Sequence, residues 1–222
     1  MLTELLRNHR ETWHNTLVLF ASDHGEMLGD HHHWRKTYAY EPSVRVPCLM
    51  RYPTHWKLPR NQVIQQPVEL RDIMPTLLDA AEIPVPKSAD GMSLLALADG
   101  KTAGWRDWVM GEHTFSYGWD WNYGMQYITD GCEKYIWFHA ADRERFFHLE
   151  KDPGERNDLS KDPGSQERIA IWRQRLAEAN ELRGDLRGKD GKLVSQGNEA
   201  TSLSPNYYKW KRRAIRHQGD LG

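Results

Sequence analysis

The sequence predicts an α/β fold followed by a small antiparallel sheet and a C-terminal helix. Residues 16–22 (TLVLFAS) form a short apolar run rich in β-formers, which is typical of a strand buried on both faces of a parallel sheet. Residues 70–81 carry apolar side chains at helical spacing. Four short β-like segments between residues 108 and 149 are separated by turn residues, which favours an antiparallel sheet.

The remaining elements of the α/β part follow from similar patterns. An amphipathic helix is predicted over residues 2–13, and a second strand over residues 44–53 (VRVPCLMRYP). Pro75 lies inside the helical pattern of residues 70–81, so we expect a kink or a restart of the helix there. Residues 82–104 read as a connector rich in Pro and Gly, with SLLALA as a short helix.

The C-terminal part ends in one more amphipathic helix and a polar tail. Apolar positions at helical spacing predict the helix; they are Ile169, Trp172, Leu176 and Ala179. After Gly184 the chain is polar and is expected to be loose. The predicted domains are therefore residues 1–104 (α/β), 105–184 (antiparallel sheet with its helix) and 185–222 (a basic and aromatic tail).

Composition excludes several classes of partner. Lys and Arg number 30 and Asp and Glu 31, so the net charge of −1 does not predict a polyanionic partner. The tail segment 207–217 mixes basic and aromatic residues, but it is short and terminal, so we predict no nucleic-acid binding. No apolar run approaches the roughly 20 residues of a membrane helix, and the first residues do not read as a signal peptide. The compartment stays open.

Two polar residues at the end of the first predicted strand suggest chemistry. Asp23 and His24 lie at the carboxyl end of that strand, where ligands of open α/β sheets gather. A carboxylate and an imidazole together form a metal half-site. Lys36 can place a positive charge nearby, and a metal with a lysine stabilises a reacting oxyanion such as sulfate or phosphate.

The same residues also have ordinary interpretations. An aspartate after a strand is often a turn or helix-capping residue. The triple histidine at 31–33 is more typical of a solvated loop than of a zinc site. Spacing alone leaves both interpretations of Asp23 and His24 open.

The whole stretch resembles the sulfatase family, which has the alkaline-phosphatase-like α/β fold. The resemblance rests first on TLVLFASDHGEMLGD, then on W-x-K-x-x-x-Y-E and VRVP. Further landmarks of the C-terminal part of bacterial arylsulfatases follow in the family's order up to about residue 180; they are ELRDIMPTLLDAAEIPVP, DGMSLLALADG, ITDGCEKYIWF and FFHLEKDPGERNDL. The resemblance implies a partial alkaline-phosphatase-like fold and a sulfuric ester hydrolase.

The resemblance implies a role for each residue of the half-site. Asp23 matches a ligand of the catalytic divalent ion, which is most often Ca²⁺ in the family, with Mg²⁺ and Mn²⁺ as alternatives. His24 matches a metal ligand or a hydrogen-bond partner of the nucleophile or the sulfate. Lys36 matches the lysine that contacts a sulfate oxygen. The family's nucleophile is a formylglycine made from Cys or Ser in C-x-P-S-R or a close variant.

That nucleophile has no counterpart among these 222 residues. Cys48 is followed by Leu-Met-Arg-Tyr and Cys132 by Glu-Lys-Tyr-Ile, and no serine begins the alternative motif. The family's paired acidic metal ligands are also missing. We therefore expect a missing N-terminal half that carries the formylglycine, and a chain that is inactive alone and depends on that half or on an oligomeric partner.

Substrate recognition is predicted in an aromatic-rich stretch. His113, Trp119 and Trp121 could contact a sugar ring or an aryl group of a small-molecule or carbohydrate sulfate ester, or the stretch could pack on its own sheet. Two rival functions stay open: a phosphonate or phosphate ester hydrolase of the same superfamily, and a non-catalytic sulfatase-like subunit.

Overall fold

The first strand pairs with a single partner in the residues that the computed structural model describes, which are 8–113 and 124–195. Helix α1 (Arg10–His14) leads into strand β1 (Val18–Ala21), and β1 pairs antiparallel with β2 (Cys48–Arg51). Helix α1 contains only the end of the helix predicted over 2–13, whose first residues lie outside the described ranges.

Within the described residues, strand β1 has neither a parallel neighbour nor a cover on both faces. The β1–β2 pair is antiparallel, and no third strand joins it among the described residues. The side chains of Phe20 and Leu49 are 57% and 64% exposed. The apolar run therefore identified the strand. It could not identify the strand that pairs with it or the residues that pack on each of its faces.

The second predicted strand is shorter than its sequence pattern. Residues Glu41–Val44 form helix α2, with Pro42 in its first turn. Proline is tolerated there because N–H groups of the first turn make no hydrogen bond within the helix. Strand β2 consequently begins only at Cys48.

The predicted restart near Pro75 is confirmed. A 3₁₀ turn at Leu70–Asp72 is followed by helix α3 (Ile73–Ala80), so Pro75 falls in the first turn of α3. Helix α4 (Leu94–Ala98) corresponds to SLLALA. Side chains from α4, Trp105, β1 and β2 form a common apolar core.

The four-stranded antiparallel sheet is confirmed. Its strands are consecutive neighbours in space, in the order β3 (Val109–His113), β4 (Met125–Thr129), β5 (Glu133–Phe138) and β6 (Arg143–His148). No helix among the described residues is long and apolar enough to cross a membrane.

Both faces of this sheet are covered. Helix α5 (Gln166–Leu182) packs on one face, where Tyr135 and Trp137 of β5 meet Trp172 of the helix. The alternate residues of β5, Ile136 and Phe138, point to the other face and join a core with residues of the segment 27–40. The sheet therefore carries α5 on one side and supports the segment that follows β1 on the other.

The expectation of a loose chain after Gly184 is wrong for residues 185–195. Strands β7 (Gly188–Lys189) and β8 (Lys192–Leu193) form a small hairpin against α5. The buried side chain of Arg187 binds Asp185 and Glu112 and fastens the hairpin to the sheet. The basic and aromatic segment 207–217 lies outside the described residues.

Candidate active site

The loop that follows β1 is tied at its base by two backbone hydrogen bonds. The N–H of Gly25 donates to the carbonyl oxygen of Ser43 at 2.8 Å, and the N–H of Glu26 donates to that of Pro42 at 2.8 Å. A Cβ atom on Gly25 would lie 2.0 Å from the Pro42 oxygen, so only glycine allows this approach. These two hydrogen bonds bring residues 25–26 and 42–43 together at the base of the loop.

The structure brings the three predicted site residues into contact. Lys36 Nζ lies 3.0 Å from His24 Nε2, and Asp23 Oδ2 lies 3.6 Å from the same nitrogen. Asp23 Oδ1 accepts the backbone N–H of His24 at 3.0 Å. The carboxylate, imidazole and ammonium groups therefore form one cluster at the end of β1.

The tautomer of His24 follows from its second ring nitrogen. Nδ1 lies 2.8 Å from the carbonyl oxygen of Gly25. A carbonyl oxygen can only accept, so Nδ1 carries the proton and the lone pair of the neutral ring is on Nε2. That lone pair accepts an N–H of Lys36 at 3.0 Å, and Nε2 is the ring nitrogen that would bind a cation if Lys36 released it.

This geometry fits part of a site for a hard divalent cation. Asp23 supplies an oxygen and His24 a nitrogen, and the side chain of Asp23 is 85% exposed and therefore accessible. No group of three His, Cys, Asp or Glu side chains within residues 8–113 and 124–195 could hold a metal ion. Two donors are too few to hold such an ion, so a cation site here would need further ligands.

Two of the three consecutive histidines, His31 and His33, pack against tyrosines. The ring of His31 stacks on Tyr40 at a centroid distance of 3.9 Å, and that of His33 stacks on Tyr38 at 4.0 Å. Burial lowers the pKa of His33 below its usual value, and the nearby His31 and Arg145 add to this effect. These rings pack the loop against its own tyrosines.

The loop between the half-site and α2 has an unusual backbone. Five non-glycine residues have positive φ angles between 49° and 87°; they are Leu28, His31, His32, Arg35 and Thr37. Such conformations cost roughly 1–3 kcal/mol each and persist only where the surroundings enforce them, as at active sites. Buried Met27 and Ala39 flank the loop. We refer to residues 28–38 as the lysine loop.

The predicted substrate residues are only partly described. His113 pairs across the sheet with Met125, which belongs to the core on the lysine-loop side, so His113 is on that face. Its Nε2 is buried without a hydrogen-bond partner, and burial lowers its pKa. Trp119 and Trp121 lie outside the described residues, so their placement stays a prediction.

Sequence reasoning missed a buried ion-pair cluster beneath the lysine loop. Lys134 of β5 binds both Glu41 and Glu155, at N–O distances of 2.7 Å and 2.8 Å. The signal was present: Lys134 is the second residue of a largely apolar strand, and Glu155 lies in the stretch FFHLEKDPGERNDL. Only the fold shows that the two residues meet.

An exposed apolar surface lies beside the site. Residues of β1 and α3 line a shallow groove; they are Leu17, Val18, Leu19, Ala21, Ile73 and Leu77. Phe20 and Leu49 expose further apolar area on the same two-stranded sheet. Exposed apolar surfaces of this kind are typical of interaction sites.

Comparison with known proteins gives consistent matches. The profile of the family described as N-sulphoglucosamine sulphohydrolase, C-terminal, matches residues 29–182. An arylsulfatase of Clostridium perfringens is 41% identical over 191 residues, which cover 85% of this chain and 38% of that protein. The multifunctional alkaline phosphatase superfamily protein PehA of Trinickia caryophylli is 36% identical over 163 residues, 68% of this chain and 31% of that protein.

A solved structure is similar in fold over most of the chain. The phosphonate monoester hydrolase of Agrobacterium radiobacter superposes with a TM-score of 0.70 at 25% identity, covering 88% of this chain and 42% of that one. The chain thus spans less than half of the length of each of these relatives.

Proposed function

The chain belongs to the sulfatase family, as its sequence motifs predict, and from this membership we propose that it contributes one side of the active site of a sulfuric ester hydrolase. The supporting observation is the contact of Asp23, His24 and Lys36 at the end of β1. Their charges and donor atoms suit an oxyanion and a divalent cation, and they come from the segments that carry the family resemblance.

Lys36 is proposed to bind the sulfate group. Its ammonium has three donors, and the bond to His24 uses one of them, which leaves others for sulfate oxygens. In the transition state of sulfate transfer negative charge grows on oxygen, and a fixed cation lowers the energy of that state more than that of the substrate. Lys36 would therefore act mainly on turnover.

Asp23 and His24 are proposed to hold the divalent cation, with Ca²⁺ as the first candidate and Mg²⁺ or Mn²⁺ as alternatives. When bound, the cation supplies a positive centre that orients the sulfate and the attacking group. The carbonyl of Gly25 keeps the His24 lone pair on Nε2, which would bind the ion in place of the Lys36 N–H, and the exposed carboxylate of Asp23 can turn toward the ion. These two side chains thus bind and orient.

The remaining groups are proposed to come from a sulfatase N-terminal region. These groups are the formylglycine nucleophile and further metal ligands, which none of the 222 residues matches by motif. The relatives are more than twice as long as the matched segment, which is consistent with this. The groove between β1 and α3 offers an apolar contact surface for such a region. The isolated chain is accordingly expected to be inactive.

The substrate is proposed to be a small-molecule or carbohydrate sulfate ester. His113, on the lysine-loop face of the sheet, is proposed to contact its organic part, together with Trp119 and Trp121. Flat aromatic and imidazole rings can stack on a sugar or aryl ring.

A second candidate is hydrolysis of a phosphonate or phosphate ester. The observation in its favour is the fold similarity to a phosphonate monoester hydrolase over 88% of the chain. Tetrahedral phosphoryl and sulfuryl groups can both be bound by a divalent cation and an ammonium group, so the half-site described above suits either.

One assay distinguishes these candidates. The full gene product that carries this chain is purified with Ca²⁺, and its kcat/KM is measured on 4-nitrophenyl sulfate and on a 4-nitrophenyl phosphonate monoester. A higher kcat/KM for the sulfate supports the sulfatase. A higher value for the phosphonate supports the second candidate, and no turnover of either ester at any divalent ion would favour a non-catalytic subunit.

A further inference from the structure

A fully buried lysine connects the four-stranded sheet to the residues that directly follow the lysine loop. Lys134 Nζ donates to Ala39 O at 2.9 Å, to Glu41 Oε1 at 2.7 Å and to Glu155 Oε1 at 2.8 Å. These three bonds use every donor of the ammonium. Glu155 Oε2 accepts the backbone N–H of Glu41 at 2.6 Å. We call Lys134, Glu155 and Glu41 the Lys134 cluster.

Stability alone does not account for this cluster. Lys134 and Glu155 are completely buried, and removing two charges from water costs several kcal/mol each. Replacing a buried ion pair by apolar side chains of similar size often leaves the stability of the fold unchanged or raises it. A buried pair is therefore weak evidence for a stabilising role. What the cluster does supply is a defined position for residues 39–41, through four hydrogen bonds that join six oxygen and nitrogen atoms.

The neighbouring residue on the same strand gives a natural comparison. Glu133 points to the opposite face, where it binds Arg168 and the indole N–H of Trp172 on α5. Strand β5 therefore holds the helix through one charged residue and the lysine loop through the next.

The lysine loop needs such a support. Five of its residues have positive φ angles, conformations that persist where contacts enforce them. At its first end Met27 is buried and its N–H donates to Arg35 O at 3.0 Å. At its second end Ala39, three residues after Lys36, is bound by Lys134.

We propose that Lys134 and Glu155 are positioning residues for Lys36: they hold Ala39 and Glu41 and so keep the strained lysine loop in the conformation that sets Lys36 against His24. The catalytic consequence rests on the proposed sulfatase function. The conformational consequence rests on the contacts alone and can be tested separately.

The test compares two variants of the full gene product. The first is the double variant Lys134→Met and Glu155→Gln, which removes both charges together and keeps an acceptor for the N–H of Glu41. The matched control is Glu133→Gln, which breaks the ion pair with Arg168 on the other face of β5 and keeps an acceptor for Trp172. Thermal melts establish how much each variant loses in global stability.

The first readout is limited trypsin digestion, followed by mass spectrometry, at equal distances below each Tm. Arg35 and Lys36 are exposed, and their peptide bonds are cut faster if the loop opens more often. We expect cleavage after Arg35 and Lys36 to rise about tenfold or more in the double variant, relative to cleavage after exposed Lys87, and to stay unchanged in Glu133→Gln. Equal cleavage in both variants would overturn the inference.

The second readout is kinetic. A displaced Lys36 should lower kcat by about 100-fold with a much smaller change in KM, because a misplacement of about 1 Å can cost that factor. An opened loop with unchanged kcat would refute the positioning role. If the wild-type gene product hydrolyses no sulfate or phosphonate ester, the proposed function fails, while the digestion still decides whether the cluster holds the loop.

Discussion

Lys36 and His24, twelve residues apart in sequence, meet at a distance of 3.0 Å between Nζ and Nε2. The loop between them leaves β1 and returns to the base formed by Gly25 and Ser43, so the closed loop is what creates the contact. The proposed sulfate site therefore depends on two side chains and on the backbone that presents them.

Replacing Lys36 by Ala should lower kcat of the full gene product by about 100- to 1,000-fold, because the charge that stabilises the transition state is lost. KM should change far less. Steady-state kinetics on 4-nitrophenyl sulfate measure both constants. Exposed Lys87→Ala is the matched control and should behave as wild type. Unchanged kinetics in Lys36→Ala would remove Lys36 from the site.

Substituting Asp23 by Asn should weaken binding of the divalent cation, since a neutral amide replaces the carboxylate. We expect the Ca²⁺ concentration for half-maximal activity, measured after chelation with EDTA and readdition, to rise about tenfold or more. Asp90→Asn, at an exposed carboxylate that has a 4.0 Å contact with Arg71, serves as the control. An identical Ca²⁺ titration in Asp23→Asn would contradict the assignment.

Arg106→Met should destabilise the fold by about 3–5 kcal/mol. Asp72 is fully buried and receives two hydrogen bonds from Arg106, at 2.6 Å and 2.7 Å, so the variant leaves a buried carboxylate without its cation. Urea denaturation measures the loss. The double variant with Asp72→Asn should be less damaging than the single variant, and a single variant as stable as wild type would contradict the prediction.

Stability should rise with pH between about 4 and 6.5 because of His139. Burial, assisted by Arg187, lowers the pKa of His139 from 6.5 to about 4, although Asp185 and Glu112 act in the opposite direction. The unfolded chain therefore binds the proton first as pH falls. The contribution of the neutral ring is complete above pH 6.5 and is lost progressively down to pH 4.

This contribution amounts to about 3 kcal/mol, taking 1.36 kcal/mol for each pKa unit. Urea denaturation of wild type and His139→Leu at a series of pH values isolates it. The difference in free energy of unfolding between the two proteins should change by about that amount between pH 4 and 7. A difference that is independent of pH would show that His139 does not titrate in this way.

The chain expressed alone should self-associate through the surface around β1. Phe20 and Leu49 are exposed on a two-stranded sheet that has open edges, a combination that promotes edge-to-edge contacts. Sedimentation velocity should show oligomers, and the double variant Phe20→Lys and Leu49→Lys should shift them toward monomer. A wild-type chain that sediments as a monomer would refute the expectation.

Local patterns predicted a large part of this fold. Residue periodicity predicted the four strands of the antiparallel sheet and helix α5. The restriction of proline to the first turn of a helix predicted the helix that begins near Pro75. The motif segments predicted Asp23, His24 and Lys36 as one site, and the structure places them together. Pairing of β1 and the hairpin after Gly184 were not predicted, because both depend on distant partners.

The sequence by itself determined which segments become helix or strand, the family, and the residue types of the half-site, since these depend on local periodicity and on motifs contiguous in the chain. The tertiary structure alone decided that β1 pairs antiparallel with β2, that Arg187 is buried against the sheet, and that Lys134 reaches Ala39 and Glu155. Contacts between residues far apart in sequence have no periodic signature. A buried charge finds its partners only when packing brings the elements together.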